Sequence, residues 1–381
     1  MKKKVLIIAG EASGDLHASA LVREVCRFNP DMSFVGMGGE ALERQGVSIV
    51  VSYEELAVVG LTEVLPKMGK IFKAWKKLGA LLEQGEIQAV ILVDFPDFNL
   101  RIARKAHRLG IPVFYYISPQ VWAWRSGRVA SIAKYVRQMA VVFPFEVDFY
   151  RSRGVSVEFV GHPSVERVRT TEDRWVFLTR YRLDPQERVV TLMPGSRMSE
   201  IRSLLKPMLA AAERLWREEG VRQFLLPLAP GISSADCAPW LSALSIPVTV
   251  VQGETYNAIG ASDGVVVASG TATLEVALLE RPMVVVYKTS WLTYLMGRMW
   301  VRVPFVAMPN LILGKSLVPE LLQGEVTARR IALEVASILS GWRSDIVEGL
   351  KEVRRCLGEQ RASERAARLF LQMLERGSVG V

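Results

Sequence analysis

Short apolar runs, each closed by a glycine, a proline or a polar residue, alternate along the chain with amphipathic stretches of helical period. Val5–Ala9, Phe34–Gly39, Ala89–Val93, Val113–Ile117 and Val141–Phe143 form a first set. Val189–Met193, Gln223–Leu226, Val248–Val251, Gly264–Ala268 and Met283–Tyr287 form a second. Runs this short and apolar suit strands covered on both faces, and their alternation with helices is the pattern of parallel α/β sheets. The 381 residues exceed what one ordinary core supports. The spacing therefore predicts two doubly wound, Rossmann-like domains facing across a cleft, 1–163 and 164–345, with a hinge near Gly161. The closing stretch Ile346–Glu375 carries too many charges to read as core; residues 346–381 are expected to return to the first domain as a terminal helix. In open parallel sheets ligands bind beyond the carboxyl ends of the strands, so the loops Gly10–Asp15, Asp94–Asn99 and Ser118–Arg125 should converge.

Composition removes several classes of function. Half the residues are hydrophobic and 23% are charged, which excludes a disordered chain. Three scattered cysteines, Cys26, Cys237 and Cys356, make no disulfide framework, and with only three histidines a protein-bound metal site is not expected. The opening MKKK followed by Val5–Ala9 is too short for a signal sequence, and no stretch approaches the eighteen uncharged apolar residues of a membrane span. Neither half carries a complete dinucleotide fingerprint or a P-loop lysine; Gly36, Gly38 and Ala41 come nearest.

The net charge of +9 calls for an anionic partner or surface. No nucleic-acid motif accompanies the basic residues, which argues against nucleic acid. Along Pro66–Leu78, helical spacing places Lys70, Lys73, Lys76 and Lys77 on one side and Met68, Ile71, Phe72, Trp75 and Leu78 on the other. That is the pattern of a helix lying in a membrane interface, and equally of a surface helix packed on its own sheet. Val59, Leu61 and Leu65 add apolar surface just before it.

Asp263–Glu275, DGVVVASGTATLE, joins an apolar strand to a helix through Ser269–Gly270. The first amides of such a helix point at one spot and favour an anion there. Thr271 and Glu275, four residues apart, share a helical face, which suits a diphosphate at the helix tip with sugar hydroxyls reaching the carboxylate. An ordinary turn capped by Ser269 or Thr271 fits the same residues.

GEASGD at Gly10–Asp15, DFPDFN at Asp94–Asn99, SPQVWAWR at Ser118–Arg125, PGSR at Pro194–Arg197, SGTATLE at Ser269–Glu275 and MPNLILG at Met308–Gly314 together resemble the lipid-A-disaccharide synthases. The resemblance runs from Val5 to about Gln323. It implies an inverting, metal-independent glycosyltransferase of GT-B fold, without a cofactor, held peripherally on the cytoplasmic face of a Gram-negative inner membrane. The implied reaction joins UDP-2,3-diacylglucosamine to 2,3-diacylglucosamine 1-phosphate (lipid X), giving a β-1,6 disaccharide 1-phosphate and UDP. The first domain would then bind the acceptor and lipid, and the second the UDP-sugar.

Such a transfer needs a base for the acceptor hydroxyl and positive character for the departing diphosphate. Asp94, at the end of an apolar strand, is the candidate base, and Asp97 in the following turn is its competitor; the resemblance points to Asp94. Glu11 and Ser13 would position Asp94 or the acceptor, or cap a helix beginning near Asp15. Arg197 offers a forked cation to the diphosphate, shared with the helix tip at Ser269, Gly270, Thr271 and Thr273, while Glu275 would take the ribose hydroxyls. Asn310 and Gln323 enter as nucleotide contacts through the resemblance alone. Val59, Leu61, Leu65, Met68, Ile71, Phe72 and Trp75 become the membrane and lipid contact. Trp291, Tyr294, Trp300 and Phe305 form either a second interfacial patch or a core or subunit contact. The resemblance also suggests a homodimer that exchanges C-terminal elements. A UDP-N-acetylglucosamine epimerase, another lipid-linked sugar transferase or a non-enzymatic bilobed binding protein would share the scaffold.

Overall fold

The structure, a computed structural model, describes residues 3–55, 64–119, 121, 126–289, 304–358 and 361–378. The chain divides into two compact units, one made of Met1–Pro163 with Leu357–Val381, the other of Ser164–Cys356.

The first unit holds strands β1 (Lys3–Ala9), β2 (Met32–Gly38), β3 (Ser48–Ser52), β4 (Ile87–Val93), β5 (Val113–Tyr116), β6 (Gln138–Val141) and β7 (Val157–Phe159). They pair in parallel in the order β3-β2-β1-β4-β5-β6-β7. Leu6, Ile8, Val90, Leu92 and Tyr115 from this sheet meet Leu78, Ile102 and Ala106 from the helices in one core. The close fit of β2 on β1 requires glycine at Gly36: a Cβ there would lie 1.9 Å from the Ile7 carbonyl oxygen. Gly36→Ala should therefore force these strands apart and cost about 2–3 kcal/mol or more, read as a fall in the urea midpoint.

The second unit holds β8 (Val189–Met193), β9 (Gln223–Leu228), β10 (Thr249–Gln252), β11 (Gly264–Ala268), β12 (Met283–Tyr287) and β13 (Glu320–Leu322), ordered β10-β9-β8-β11-β12-β13 and again parallel. Both sheets are doubly wound, with helices on their crossovers.

Pattern reading misses β3, β7 and β13, short strands at sheet edges with exposed or half-buried residues. It also sets β6 too late. That strand starts at Gln138, a buried polar residue whose side chain is satisfied by the Ser156 hydroxyl, 2.8 Å away. The charged C-terminal stretch does contribute to cores. In helix Arg343–Cys356, part of the second unit, Ile346, Leu350 and Val353 are buried. Helix Ala362–Ser378 packs on helix Ala12–Phe28, with Phe370 against Phe114. The charges occupy the outer faces of two amphipathic helices, a division that a count of charges cannot reveal. Among the described residues no helix is long and apolar enough to cross a membrane.

Candidate active site

In each sheet the strand order reverses once, between β1 and β4 and between β8 and β11. Such reversals leave a crevice at the carboxyl ends of the two strands. Ala9 pairs with Val93, so Gly10–Glu11 and Asp94 leave their strands side by side. Met193 pairs with Val267, which does the same for Pro194–Arg197 and Ser269–Thr273.

At the first reversal the backbone is unusual. Asp94 and Phe95 both adopt left-handed φ, +45° and +47°, and Ile117 at the end of β5 does so at +59°. Left-handed geometry is costly for residues with a Cβ and most of all for a β-branched one; such outliers cluster where function holds them. The Asp94 carbonyl accepts hydrogen bonds of 2.6 Å from both the Tyr115 hydroxyl and the Asn99 amide, and the Asp94 N–H donates to Ile117. The Phe95 ring lies over Gly10, where a Cβ would come within 2.3 Å of it. Burial, and then the charge of Glu11, push the Asp94 carboxyl up to about 6, against a hydrogen bond from the Phe95 amide. Asp97 is different in kind. It stands exposed on the first turn of helix Pro96–Arg108, ion-paired with Arg128.

Helix Ala12–Phe28 starts three residues earlier than the pattern suggests. Glu11 is its N-cap residue but makes no side-chain cap, and Ser13 is exposed on its first turn. Asp15 lies inside the helix instead, accepting from the amides of Gly39 (2.7 Å) and Ala41 (3.0 Å) and so tying it to the turn after β2.

At the second reversal Gly270 has φ +138°, a conformation open essentially to glycine alone, and heads helix Thr271–Leu278. The amides of Thr271 and Ala272 open this helix, the donors that an anion at its tip would meet. The side chains around it divide. Thr271 is exposed. The Ser269 hydroxyl donates to the Val306 carbonyl. Thr273 is fully buried, its hydroxyl donating to Gly270 and accepting from the Met308 amide, so it shapes the turn and is withdrawn from direct ligand contact. Glu275 is mostly buried, and its Oε1 accepts from Tyr256 (2.9 Å) and Arg167 (3.1 Å). Burial raises its carboxyl, opposed by those two partners.

In the PGSR turn Arg197 extends into solvent, 75% exposed, with Glu200 at 3.7 Å. Glu200 itself accepts from the amides of Ser196 and Arg197, so the turn's own carboxylate occupies them. The Arg197 guanidinium is the cationic donor this turn leaves facing solvent. Asn310 overturns the contact implied by resemblance. It is fully buried, donating to Val318 and Glu320 and accepting from the amides of Leu317 and Val318. With all four hydrogen-bonding positions used, it clasps its own loop and has none left for a nucleotide. Gln323, at φ +49°, accepts from the Thr289 amide, while its buried Nε2 has no hydrogen-bond partner among the described residues. A buried orphan donor of this kind is what a ligand oxygen would satisfy.

The amphipathic segment also needs correction. In helix Val64–Glu83, Ala74, Leu78 and Leu82 are buried, and Ile71 and Trp75 pack half-buried on the unit's core, with Lys105 over the Trp75 ring. Their apolar surface is already used. Phe72 points outward, 62% exposed, its ring stacked on Trp75; Lys70, Lys73 and Lys76 are exposed on the same helix, and the exposed Lys77 donates to the Val50 carbonyl. Val59, Leu61, Trp291, Tyr294, Trp300 and Trp122–Arg125 lie outside the described residues, as do the side chains of Leu65 and Met68; Phe305 is half-buried.

Sequence comparison bears on the same residues. The family described as lipid-A-disaccharide synthetase matches residues 5–374. The chain belongs to this family. As a member of the lipid-A-disaccharide synthase family it is 46% identical to the enzyme of that name from Geobacter metallireducens over 374 residues, covering 98% of this chain and 97% of the relative. It is 45% identical to the one from Myxococcus xanthus, covering 99% of each. Among solved structures it is similar to Acinetobacter baumannii MurG, with a TM-score of 0.62 at 15% identity over 97% of this chain and 99% of that one. A Neisseria meningitidis UDP-GlcNAc 2-epimerase bound to UDP-GlcNAc gives a TM-score of 0.63 at 11% identity over 98% and 100%. At such identities these likenesses establish the two-domain GT-B fold and nothing about chemistry.

Sequence reading missed Tyr115, Asn99, Arg167, Tyr256 and Glu200. Glu200 left a local signal, a carboxylate three residues after an N-cap position, and Asn99 closes the DFPDFN motif five residues after Asp94. Tyr115, Arg167 and Tyr256 reach the site from elements distant in sequence.

Proposed function

We propose that this chain condenses a UDP-linked diacylglucosamine with a diacylglucosamine 1-phosphate to form the lipid A disaccharide and UDP. Asp94 removes the proton from the acceptor's 6-hydroxyl as that oxygen attacks the anomeric carbon from the face opposite the diphosphate. The C–O bond to UDP breaks with inversion and gives the β linkage, and the UDP leaves carrying the bond's electron pair. Arg197 and the amides at Thr271–Ala272 hold the developing charge on the diphosphate. Glu275 receives the ribose hydroxyls, and the orphan Nε2 of Gln323 donates to the nucleotide. The observation that carries this reading is Asp94: a half-buried carboxylate at a topological switch point, its carboxyl raised toward working pH, in a member of this family.

The test is direct. Incubated with both acylated substrates, with and without a chelator, the purified protein should release UDP and a disaccharide lipid in equal amounts. UDP release without disaccharide would overturn the reading.

Membrane contact belongs to the same proposal. The exposed Phe72, with Lys73 and Lys76 beside it on the helix, would present an apolar ring and positive charge to an anionic lipid surface, and the first unit would take up its acylated substrate there. Phe72→Asp should weaken binding to phosphatidylglycerol vesicles roughly tenfold or more, the worth of one inserted aromatic side chain, measured by cosedimentation. Equal sedimentation of variant and parent would remove Phe72 from the contact.

A further inference from the structure

We propose that Tyr115 is a positioning residue for the transfer, its hydroxyl holding the Asp94 peptide in the strained conformation that keeps the carboxylate in place. The inference rests on the reading of Asp94 as the base. Asp94 and Phe95 stand consecutively in left-handed geometry although neither is glycine. Hydrogen bonds from the neighbouring strand and from helix Pro96–Arg108 hold them. Tyr115, one residue before the end of the neighbouring strand β5, is fully buried and donates at 2.6 Å to the Asp94 carbonyl. Asn99, also fully buried, donates to the same carbonyl and to Val93. The Ile117 carbonyl takes the Asp94 N–H, and the Phe95 ring is seated on Gly10. The peptide is thus gripped on its carbonyl, its N–H and its following side chain.

The grip fixes where the carboxylate points. A base misplaced by about 1 Å can lose a hundredfold in rate, and a peptide that relaxed to ordinary geometry would swing the carboxylate out of its half-buried setting. The charged and titratable groups that bear on Asp94 and Tyr115 are Glu11 from the turn after β1, Tyr150 from helix Phe145–Arg151, and Arg128, which pairs with Asp97. None of them replaces a hydrogen bond to the carbonyl.

Tyr115→Phe removes one oxygen and keeps the packed ring. We expect kcat to fall about tenfold to a hundredfold, with KM for the UDP-sugar and the Kd for UDP unchanged. The acid limb of the kcat–pH profile should also move to lower pH, because a carboxylate that escapes burial ionises more readily. A merely structural tyrosine would lower thermal stability and leave that limb where it was, and this result would overturn the proposal. Asn99→Ser, which removes the second donor to the same carbonyl, should shift the limb in the same direction; an unmoved limb in both variants would also overturn it. Wild-type protein assayed alongside separates the two readings. If the wild type forms no disaccharide, the base assignment fails; if it does and the variants match it, only the role of Tyr115 fails.

Discussion

Replacing Asp94 with asparagine should cut disaccharide formation by about 10²–10⁴-fold, the usual contribution of a general base, while UDP binding, measured by calorimetry, stays as it was. In the wild type the rate should fall about tenfold per pH unit below the Asp94 value of about 6, as the base takes up its proton. The same substitution has a second, opposite effect on stability. The folded-state value of about 6 lies above the ordinary 3.8, so the native state holds this proton more tightly than the unfolded chain. The stability that the protonated carboxyl contributes is fully present below about pH 4 and is lost as pH rises through about 6. At neutral pH the ionised carboxylate therefore costs the fold on the order of 2–3 kcal/mol. Asp94→Asn removes that cost and should raise the melting temperature at pH 8 more than at pH 4. A variant that is dead and more stable is the mark of a group kept in place for chemistry. A variant that keeps its rate, or loses stability equally at both pH values, would reassign Asp94 to a structural role.

Arg197→Ala should lower turnover by about 10²–10³-fold, the range for removing one donor aimed at developing charge. Little of this can come from misfolding. The guanidinium is 75% exposed and only loosely paired with Glu200, and exposed substitutions of this kind stay within about 0.5 kcal/mol. Because the amides of Ser196 and Arg197 are already taken by Glu200, neither stands in for the lost cation. Arg197→Lys should recover part of the loss, since a lysine restores charge without the fork. Single-turnover rates and UDP affinities for the three proteins separate a weakened ground state from a weakened transition state. An alanine variant with wild-type single-turnover rate would place the diphosphate on the tip of helix Thr271–Leu278 alone.

The chain's local patterns reach a long way here. Each strand needs only a few consecutive apolar residues, and each loop motif lies where one such run ends, so PGSR, SGT and Asp94 were legible as strand-end chemistry before any sheet was drawn. Their grouping required the strand order: β1 beside β4 and β8 beside β11. The proposal of Asp94 over Asp97, two carboxylates three residues apart, rests on burial. One is half-buried and raised, the other exposed and paired with Arg128. Asn310 and Ile71 show the converse. Both carry the right chemistry for the roles that motif and periodicity imply, yet Asn310 spends its amide on its own loop and Ile71 its side chain on its own core.

By itself the sequence determined the α/β class, the doubly wound pattern, the family and the residues that end each strand, because all of these follow from short-range periodicity and from motifs kept in order. Only the tertiary structure decided how Asp94 is held. The Tyr115 hydroxyl and the Asp94 carbonyl are 21 residues apart in the chain and meet through the register of β4 on β5, and burial in the folded state moves the carboxyl toward the pH at which a base can work. Periodicity fixes which face a residue takes. It cannot fix which distant hydroxyl will be waiting there.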